Sequence, residues 1–127
     1  MQEELLVFKA CADPTRLRIL CLLVARELCV CELVEVLKMP QGKISRHLAL
    51  LKQARWVIDR REGIWIYYSL RPAEAGLKQR LLAYLREEAV QIPVVAGDLE
   101  QLYDLALASR KCDPGRDDPR FSSGVSG

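Results

Sequence analysis

Residues 41–51 read Gln-Gly-Lys-Ile-Ser-Arg-His-Leu-Ala-Leu-Leu, a run that is both amphipathic and basic. At 3.6 residues per turn, its apolar side chains fall on one face of a helix: Ile44, Leu48 and Leu51. The opposite face is small and polar: Gly42, Arg46, Ala49 and Gln53. Because small residues allow close approach to another surface, we expect a helix whose apolar stripe packs inward and whose outer face meets a partner.

Positive charge is concentrated around this run. Residues 38–63 contain seven basic and two acidic side chains, a net charge of +5, whereas the whole chain carries only +2. A segregated basic region on a nearly neutral protein is typical of a surface that binds phosphate. A solvated basic helix would show the same pattern, so charge alone leaves both interpretations open.

Three helices are expected before the basic run, over about residues 3–12, 14–26 and 30–38. Asp13 is a suitable cap for the second helix, and proline is favoured at the first helical position, where Pro14 stands. The first helix is expected to turn its apolar residues inward: Leu5, Leu6 and Phe8. Pro40, after Met39, is expected to begin the fourth helix.

After the basic run the apolar period changes from 3.6 to 2. Residues 56–60 and 64–70 are rich in β-branched and aromatic side chains and flank a turn at Gly63, which predicts a β-hairpin. A long helix is expected from Arg71 to about residue 90, ended by Pro93, and a last helix capped by Asp98. The stripe of the long helix belongs either to the subunit's own core or to a subunit interface, which the length of the helix favours: Leu77, Leu81 and Leu85.

The order of these elements predicts an α+β fold, mostly α: a winged helix-turn-helix with an extra C-terminal helix. We divide the chain into a DNA-binding and metalloid-sensing domain with its dimerisation helices (1–92), a C-terminal helix packed on or extending the dimer (93–111), and a disordered tail (112–127).

Five cysteines are present: Cys11, Cys21, Cys29, Cys31 and Cys112. The odd number and the acidic N-terminus favour free thiols in a cytoplasmic protein, and no run approaches the roughly 18 apolar residues that span a membrane. Cys29 and Cys31 form a soft ligand pair that suits trivalent arsenic or antimony better than zinc, which takes four ligands. Cys11 and Cys21 are expected to fill the core.

The thiol pair stands ten residues ahead of the basic run. Side chains two apart on a regular helix point about 200° away from each other, so we expect the first turn to unwind when one ion binds both sulfurs. Packing in a helix seam is the alternative role for the pair.

Several separated motifs resemble the ArsR/SmtB metalloregulators: Asp13-Pro14-Thr15-Arg16-Leu17-Arg18-Ile19-Leu20, Lys43 to Leu51, and Arg61-Glu62-Gly63 with Trp65 and Tyr68. The resemblance covers about residues 5–90, and Glu27 to Leu33 is similar to the metal-sensing segment of arsenical-resistance repressors. It implies a homodimer that binds double-stranded operator DNA and releases it when metalloid binds. Arg55 stands near the place where glycine is usual before the wing.

The resemblance also bears on the ligand set. A further cysteine is frequent three positions after the pair, where this chain has Val34. Cys112, near the C-terminus, is therefore a candidate third ligand, or the pair alone binds methylated trivalent arsenic. The family's other common site, of Asp and His, is excluded because His47 is the only histidine.

Two functions are consistent with the sequence. The first is a dimeric repressor released by arsenite or antimonite, without a required cofactor. Gln41, Ser45 and Arg46 would lie near base edges, and the remaining contacts would be to the DNA backbone: Lys43, His47, Arg60 and Arg61. His47, which flanks the apolar stripe, could instead fill a packing gap. The second is a thiol-redox or metal-storage protein that has lost DNA function. An enzyme is not expected, since the single histidine has no nucleophile or carboxylate pattern around it.

Overall fold

The computed structural model describes residues 1–108, with side chains described to residue 107. Within this range the elements are α1 (Gln2–Cys11), α2 (Pro14–Ala25), β1 (Leu28–Cys29), α3 (Val30–Leu37), α4 (Gln41–Gln53), β2 (Val57–Glu62), β3 (Trp65–Leu70), α5 (Gly76–Glu87), a 3₁₀ turn (Ala89–Gln91) and α6 (Pro93–Ala108). None of the helices in this described part is long and apolar enough to cross a membrane.

Helix α2 lies at the centre of the core. Its first turn begins as predicted, because the Asp13 side chain accepts a hydrogen bond of 3.0 Å from the backbone N–H of Arg16. Five consecutive residues, 19–23, are buried, so α2 is enclosed on more than the one expected face. It contacts α1, α4, α5, α6 and β3, and these contacts make it the element around which the others assemble.

Helices α3 and α4 form the helix-turn-helix. The chain leaves α3 through Lys38 in a left-handed conformation (φ 56°), and Pro40 precedes α4 without a side-chain cap. The predicted stripe is confirmed, since Ile44, Leu48 and Leu51 are fully buried. The stripe holds α4 on the core, and the opposite face of α4 is left at the surface.

The predicted hairpin is also confirmed and forms the wing. Strands β2 and β3 pair from Val57 opposite Leu70 to Glu62 opposite Trp65, which leaves Gly63 and Ile64 as a two-residue turn. Gly63 has φ 63°, a conformation that glycine adopts without a steric penalty. Arg55 also lies in the left-handed region (φ 63°), at the approach to the wing where the family resemblance favours glycine. The whole arrangement is a winged helix-turn-helix.

A short strand was not predicted. Strand β1 pairs antiparallel with β3, placing Leu28 opposite Tyr68 and Cys29 opposite Tyr67, so the sheet order is β1-β3-β2. Two residues are too few to show a period of 2 in the sequence. The thiol segment is thereby joined to the wing by backbone hydrogen bonds.

The C-terminal helices differ from the prediction. Helix α5 begins at Gly76 and not at Arg71, and Pro93 begins α6 where it was expected only to end α5. Asp98 lies inside α6 and caps no helix; its carboxylate pairs instead with Arg18 of α2, at 2.8 and 2.9 Å. The assignment of Asp98 failed because a proline at a first helical position and a proline beyond a helix end look alike in sequence.

The apolar face of α5 is mostly buried, and that of α1 was assigned to the wrong side. The α5 stripe turns largely into the subunit's own core, since Leu85 is buried and Leu81 packs against the core. On α1 the opposite holds: Leu5, Leu6 and Phe8 are each more than 50% exposed. Cys112, the last part of the expected C-terminal helix, and the expected tail all lie outside the described residues.

Candidate functional site

The two thiols meet where β1 ends and α3 begins. Cys29 is the last residue of β1 and precedes α3, and Cys31 is the second residue of α3. Their Sγ atoms are 2.7 Å apart. The expectation that the helix must unwind to bring the sulfurs together is therefore wrong, because Cys29 has extended backbone angles (φ −87°, ψ 165°) and is outside the helix.

Hydrogen bonding and charge fix the position of Cys29. Its backbone N–H donates to Glu32 Oε1 at 3.0 Å, and Glu32 also lies 3.5 Å from the guanidinium of Arg26. Burial lowers the pKa of Arg26, and the Cys29 sulfur opposes that change. Cys29 therefore stands at the N-terminus of α3, next to the ion pair of Arg26 and Glu32.

A cleft of about 470 Å³ opens beside the thiols. We call it the thiol cleft, and its walls are mainly apolar: Val30, Val34, Ile64, Trp65 and Ile66. Glu35 and Gln41 line its remaining edge. Since Ile64 to Ile66 belong to the wing and Gln41 is the first residue of α4, the thiol cleft is bordered by both the wing and α4.

The sheet gives a second connection from the thiols to the wing. Cys29 is paired in register with Tyr67, and Tyr67 is paired in register with Arg60 on β2. The Arg60 guanidinium lies 4.6 Å from the centre of the Tyr67 ring and forms hydrogen bonds of 2.8 and 2.9 Å to Glu27. A displacement of Cys29 would therefore act on the basic strand of the wing through paired backbone.

The outer face of α4 carries three of the predicted DNA-contacting residues. Gln41, Ser45 and Arg46 are exposed, and we call them the reading face. Lys43 is half-buried on the flank of the same helix. The reading face is suited to contact base edges in a major groove, because exposed guanidinium, amide and hydroxyl groups are the donors used there.

The His47 side chain is half-buried beside Arg16 and Asp13. Its Nδ1 atom is 3.2 Å from Arg16 Nη1 and 4.0 Å from Asp13 Oδ2. Burial lowers the pKa of His47, and only Asp13 opposes that change, so the ring is neutral at pH 7. A neutral, half-buried imidazole is a weaker phosphate ligand than a charged one, and the contact of His47 with DNA stays a prediction.

The two arginines of the wing, Arg60 and Arg61, differ in exposure and in their ion-pair partners. Arg60 is paired with Glu27 and with Glu62, and the hydrogen bonds to Glu27 raise its pKa. Arg61 is exposed. Because the charge of Arg60 is compensated within the protein, Arg61 is the better placed of the two to meet phosphate.

Cys11 and Cys21 have the properties of packing thiols. Cys21 is buried in the core and Cys11 packs against it, as expected. Burial raises the pKa of each to about 11, which keeps both protonated at neutral pH. Among the described residues no group of three His, Cys, Asp or Glu side chains could hold a metal ion.

Sequence reasoning found the thiols but missed the residues around them. Arg26 was expected only as the end of the second helix, and Glu27 and Trp65 were placed in family motifs without a role beside the cysteines. The five apolar residues of the thiol cleft come from α3 and the wing, which are far apart in sequence and are brought together by the fold. A hydrophobic residue at the tip of a two-residue turn, Ile64, was the one signal available.

Comparison with known proteins agrees with this geometry. Residues 13–59 match the family model described as "Bacterial regulatory protein, arsR family". The chain is 56% identical over 69 residues to the arsenic resistance transcriptional regulator ArsR1 of Pseudomonas putida, covering 53% of each protein. It is 51% identical over 67 residues to the arsenical resistance operon repressor of Escherichia coli, covering 52% of this chain and 57% of that protein. The match therefore spans little more than half the length of these two relatives.

Two other matches cover more of this chain. The arsenical resistance operon repressor of Bacillus subtilis is 37% identical over 84 residues, which cover 64% of this chain and 80% of that protein. The solved structure of HlyU from Vibrio cholerae has a TM-score of 0.63 at 32% identity and matches 71% of this chain and 95% of its own.

The fold and the exposed basic helix define a winged helix-turn-helix regulator, a class distinct from enzymes. Within that class, this chain belongs to the arsR family of bacterial regulatory proteins.

Proposed function

We propose that this protein is a transcriptional repressor that binds operator DNA as a homodimer and releases it when trivalent arsenic or antimony binds Cys29 and Cys31. The observation that carries the proposal is the approach of the two sulfurs to 2.7 Å at the start of α3. A thiol pair in this position suits a thiophilic ion and lies within the helix-turn-helix itself. The names of the matched relatives from P. putida, E. coli and B. subtilis support an arsenic-type effector.

DNA binding is assigned to the reading face and its flanks. Gln41, Ser45 and Arg46 would enter the major groove, and Lys43, His47, Arg60 and Arg61 would contact the backbone. Arg61 and Lys43 are the strongest phosphate candidates, since Arg60 and His47 already have partners within the protein. Two copies would place their α4 helices in successive major grooves of an imperfect palindrome.

The homodimer is assigned to α1 and α6. Both helices pack on α2 and both expose apolar side chains to solvent: Leu5, Leu6, Phe8, Tyr103 and Leu107. Clusters of large exposed apolar residues are uncommon on monomeric proteins and mark interaction surfaces. A second copy of this chain is the occupant that a palindromic operator requires.

Release follows from the place of the thiols. Metalloid binding would move Cys29 and Cys31, which are joined to the wing through β3 and face Gln41 across the thiol cleft. Only an effector that binds the DNA-free conformation more tightly can lower DNA affinity. The ion would therefore favour a position of α4 and the wing that no longer matches the groove. Cys112 is the candidate third ligand for inorganic arsenic.

Serine substitutions test the proposal. Cys29→Ser and Cys31→Ser should each retain DNA affinity and lose release by arsenite, since the thiols contact the effector and not phosphate. Cys21→Ser is the matched control, because that buried thiol has no role in release. Gel shifts at several salt concentrations, with and without arsenite, measure both properties. Loss of DNA binding in both pair variants would indicate structural cysteines, and no binding by the unmodified protein would favour a thiol-redox or storage role.

A further inference from the structure

The guanidinium of Arg16 contacts two helices besides its own. Arg16 lies in the first turn of α2, and it donates hydrogen bonds of 2.8 and 3.3 Å to the carbonyls of Ala10 and Lys9, in the last turn of α1. Its Nη1 atom is 3.2 Å from Nδ1 of His47 on α4. A planar guanidinium presents its donors in a rigid fork, so this one side chain relates the positions of α1, α2 and α4.

The contacts on α1 cap that helix. The last four carbonyls of a helix have no partner within it, and a cation is favourable at that end. The backbone N–H of Ala12 returns to the Lys9 carbonyl, and Arg16 donates to the same carbonyl and to that of Ala10. The end of α1 is therefore held by a side chain of α2.

The contact on α4 fixes the rotation of that helix. Arginine can only donate, so Nδ1 of His47 accepts and the ring proton is on Nε2. The buried stripe of α4 packs through apolar contacts, which are not directional, whereas a hydrogen bond weakens steeply when it is bent. His47 directly follows Arg46 of the reading face, so the bond from Arg16 restrains the direction in which the reading face points.

The relation of α1 to α4 determines how two copies meet DNA. The α4 helices of a helix-turn-helix dimer enter half-sites that are about 34 Å apart, one helical turn of DNA. In the proposed function α1 belongs to the contact between copies and α4 reads the operator. The position of α1 relative to α4 would then set the spacing of the two reading faces.

We propose that Arg16 is a positioning residue for operator binding, which ties the end of α1 to His47 and so holds the two reading faces at the spacing of the operator. The inference rests on the proposed function and adds the residue that connects its dimer contact to its DNA contact. His47 acts here as an acceptor within the protein, and the test separates this role from contact with phosphate.

Arg16→Lys keeps the charge and removes the fork, because one ammonium cannot replace a planar guanidinium on three acceptors. The operator is the palindromic duplex that the unmodified full chain selects from random sequences. Fluorescence anisotropy measures its affinity relative to unrelated DNA, and this ratio should fall by about 2- to 30-fold in the variant. Unrelated DNA is bound through total charge, which is unchanged. Arg86→Lys, at an exposed position on α5, is the matched control and should keep the ratio.

The spacing of the half-sites is the readout that a merely structural role would not change. One base pair inserted between the half-sites should weaken binding of the unmodified protein more than binding of Arg16→Lys, because the variant no longer holds its reading faces at one distance. His47→Leu removes the acceptor and leaves the contacts on α1, so it should show the same smaller penalty if Arg16→Lys does not fold.

Acid distinguishes the two roles of His47 by sign. The charged groups around the ring are Asp13, Arg16, Lys43 and Arg46. Protonation occupies Nδ1 and opposes the ring to the guanidinium, so operator affinity should fall from pH 7.5 to pH 5.5. Contact with phosphate predicts a rise instead. In His47→Gln the amide oxygen is an acceptor that acid does not protonate, and the fall should disappear.

The outcomes separate this inference from the proposed function. An affinity ratio and a spacing penalty that are unchanged in folded Arg16→Lys would overturn the inference alone, as would tighter operator binding by the unmodified protein at pH 5.5. Failure of the unmodified protein to select any palindromic duplex would overturn the proposed function and the inference with it.

Discussion

At the scale of single residues, burial separates the side chains that can contact DNA from those that stabilise the protein. Arg46 is exposed on the reading face, whereas His47, the next residue, is half-buried against Arg16. The two residues are adjacent in sequence and differ because successive helical positions are rotated by about 100°. Substitutions of Arg46 and of His47 test this difference in role.

Arg46→Ala should weaken operator binding by about 1–3 kcal/mol if the guanidinium contacts a base edge. The free energy of unfolding should stay within about 0.5 kcal/mol, because the side chain is exposed. Fluorescence anisotropy with labelled operator measures the change, and Arg86→Ala, an exposed arginine on α5, is the charge-matched control. Equal losses in both variants would mean that only overall charge matters.

His47→Gln should make stability less sensitive to acid. The folded pKa of His47 is lowered by burial, so the unfolded chain takes up a proton at a higher pH than the folded protein does. Stability is therefore fully present above the unfolded pKa of about 6.5 and falls as pH decreases below it. Denaturant titrations at pH 7.5 and pH 5.5 should show a smaller difference for the variant. An unchanged difference would assign the acid sensitivity to other groups.

At the scale of elements, α6 is anchored to α2 by a partly buried ion pair. Arg18 donates two hydrogen bonds to Asp98, whose side chain is only 7% exposed. Removing one partner of such a pair leaves a buried charge without compensation, and the usual cost is about 3–5 kcal/mol. The exposed pair of Lys52 and Asp59 on α4 and β2 provides a contrast within the same protein.

Arg18→Met should therefore lower the free energy of unfolding by about 3 kcal/mol, whereas Lys52→Met should lower it by less than about 1 kcal/mol. Chemical denaturation monitored by circular dichroism measures both. Similar small losses in the two variants would show that Asp98 is solvated after Arg18 is removed.

Sequence reasoning predicted the elements that local chemistry specifies. Asp13 and Pro14 define the start of α2, and the alternating residues of the hairpin define the wing. Strand β1 was missed because two residues carry no period, and the start of α5 was placed too early because a proline at residue 72 looks like a helix start. The thiol geometry was also beyond reach, since it depends on Cys29 lying in a strand that forms only by pairing with β3.

At the scale of the whole molecule, exposed apolar side chains indicate where a second copy would pack. An apolar stripe in sequence looks the same for a core and for an interface, and for this reason the exposed apolar residues of α1 were expected in the core. The oligomeric state and the number of sulfur ligands are therefore measured in solution with the full chain.

Phe8→Asp should convert the proposed dimer to monomer, because a carboxylate would be buried at the apolar face of α1. Light scattering after size exclusion measures the mass, and Ile58→Asp on the wing is the control of equal chemistry. A dimer that persists in Phe8→Asp would place the interface on another surface.

Cys112→Ser should reduce the response to arsenite and spare the response to methylarsenite, because the latter needs only Cys29 and Cys31. Operator release measured with both compounds distinguishes the two responses. Arsenic absorption spectroscopy that still finds three sulfur neighbours in Cys112→Ser would exclude Cys112 as the third ligand.

The position of Gln41 and the wing on the edge of the thiol cleft has a consequence for the cell. Coupling between two ligands is reciprocal, so if arsenical lowers the affinity for operator by some factor, operator lowers the affinity for arsenical by the same factor. Under the proposed function, DNA would therefore compete with the arsenical without touching its site. Extra copies of the operator would raise the dose of arsenical needed for induction, and the number of binding sites would set the sensitivity of the sensor.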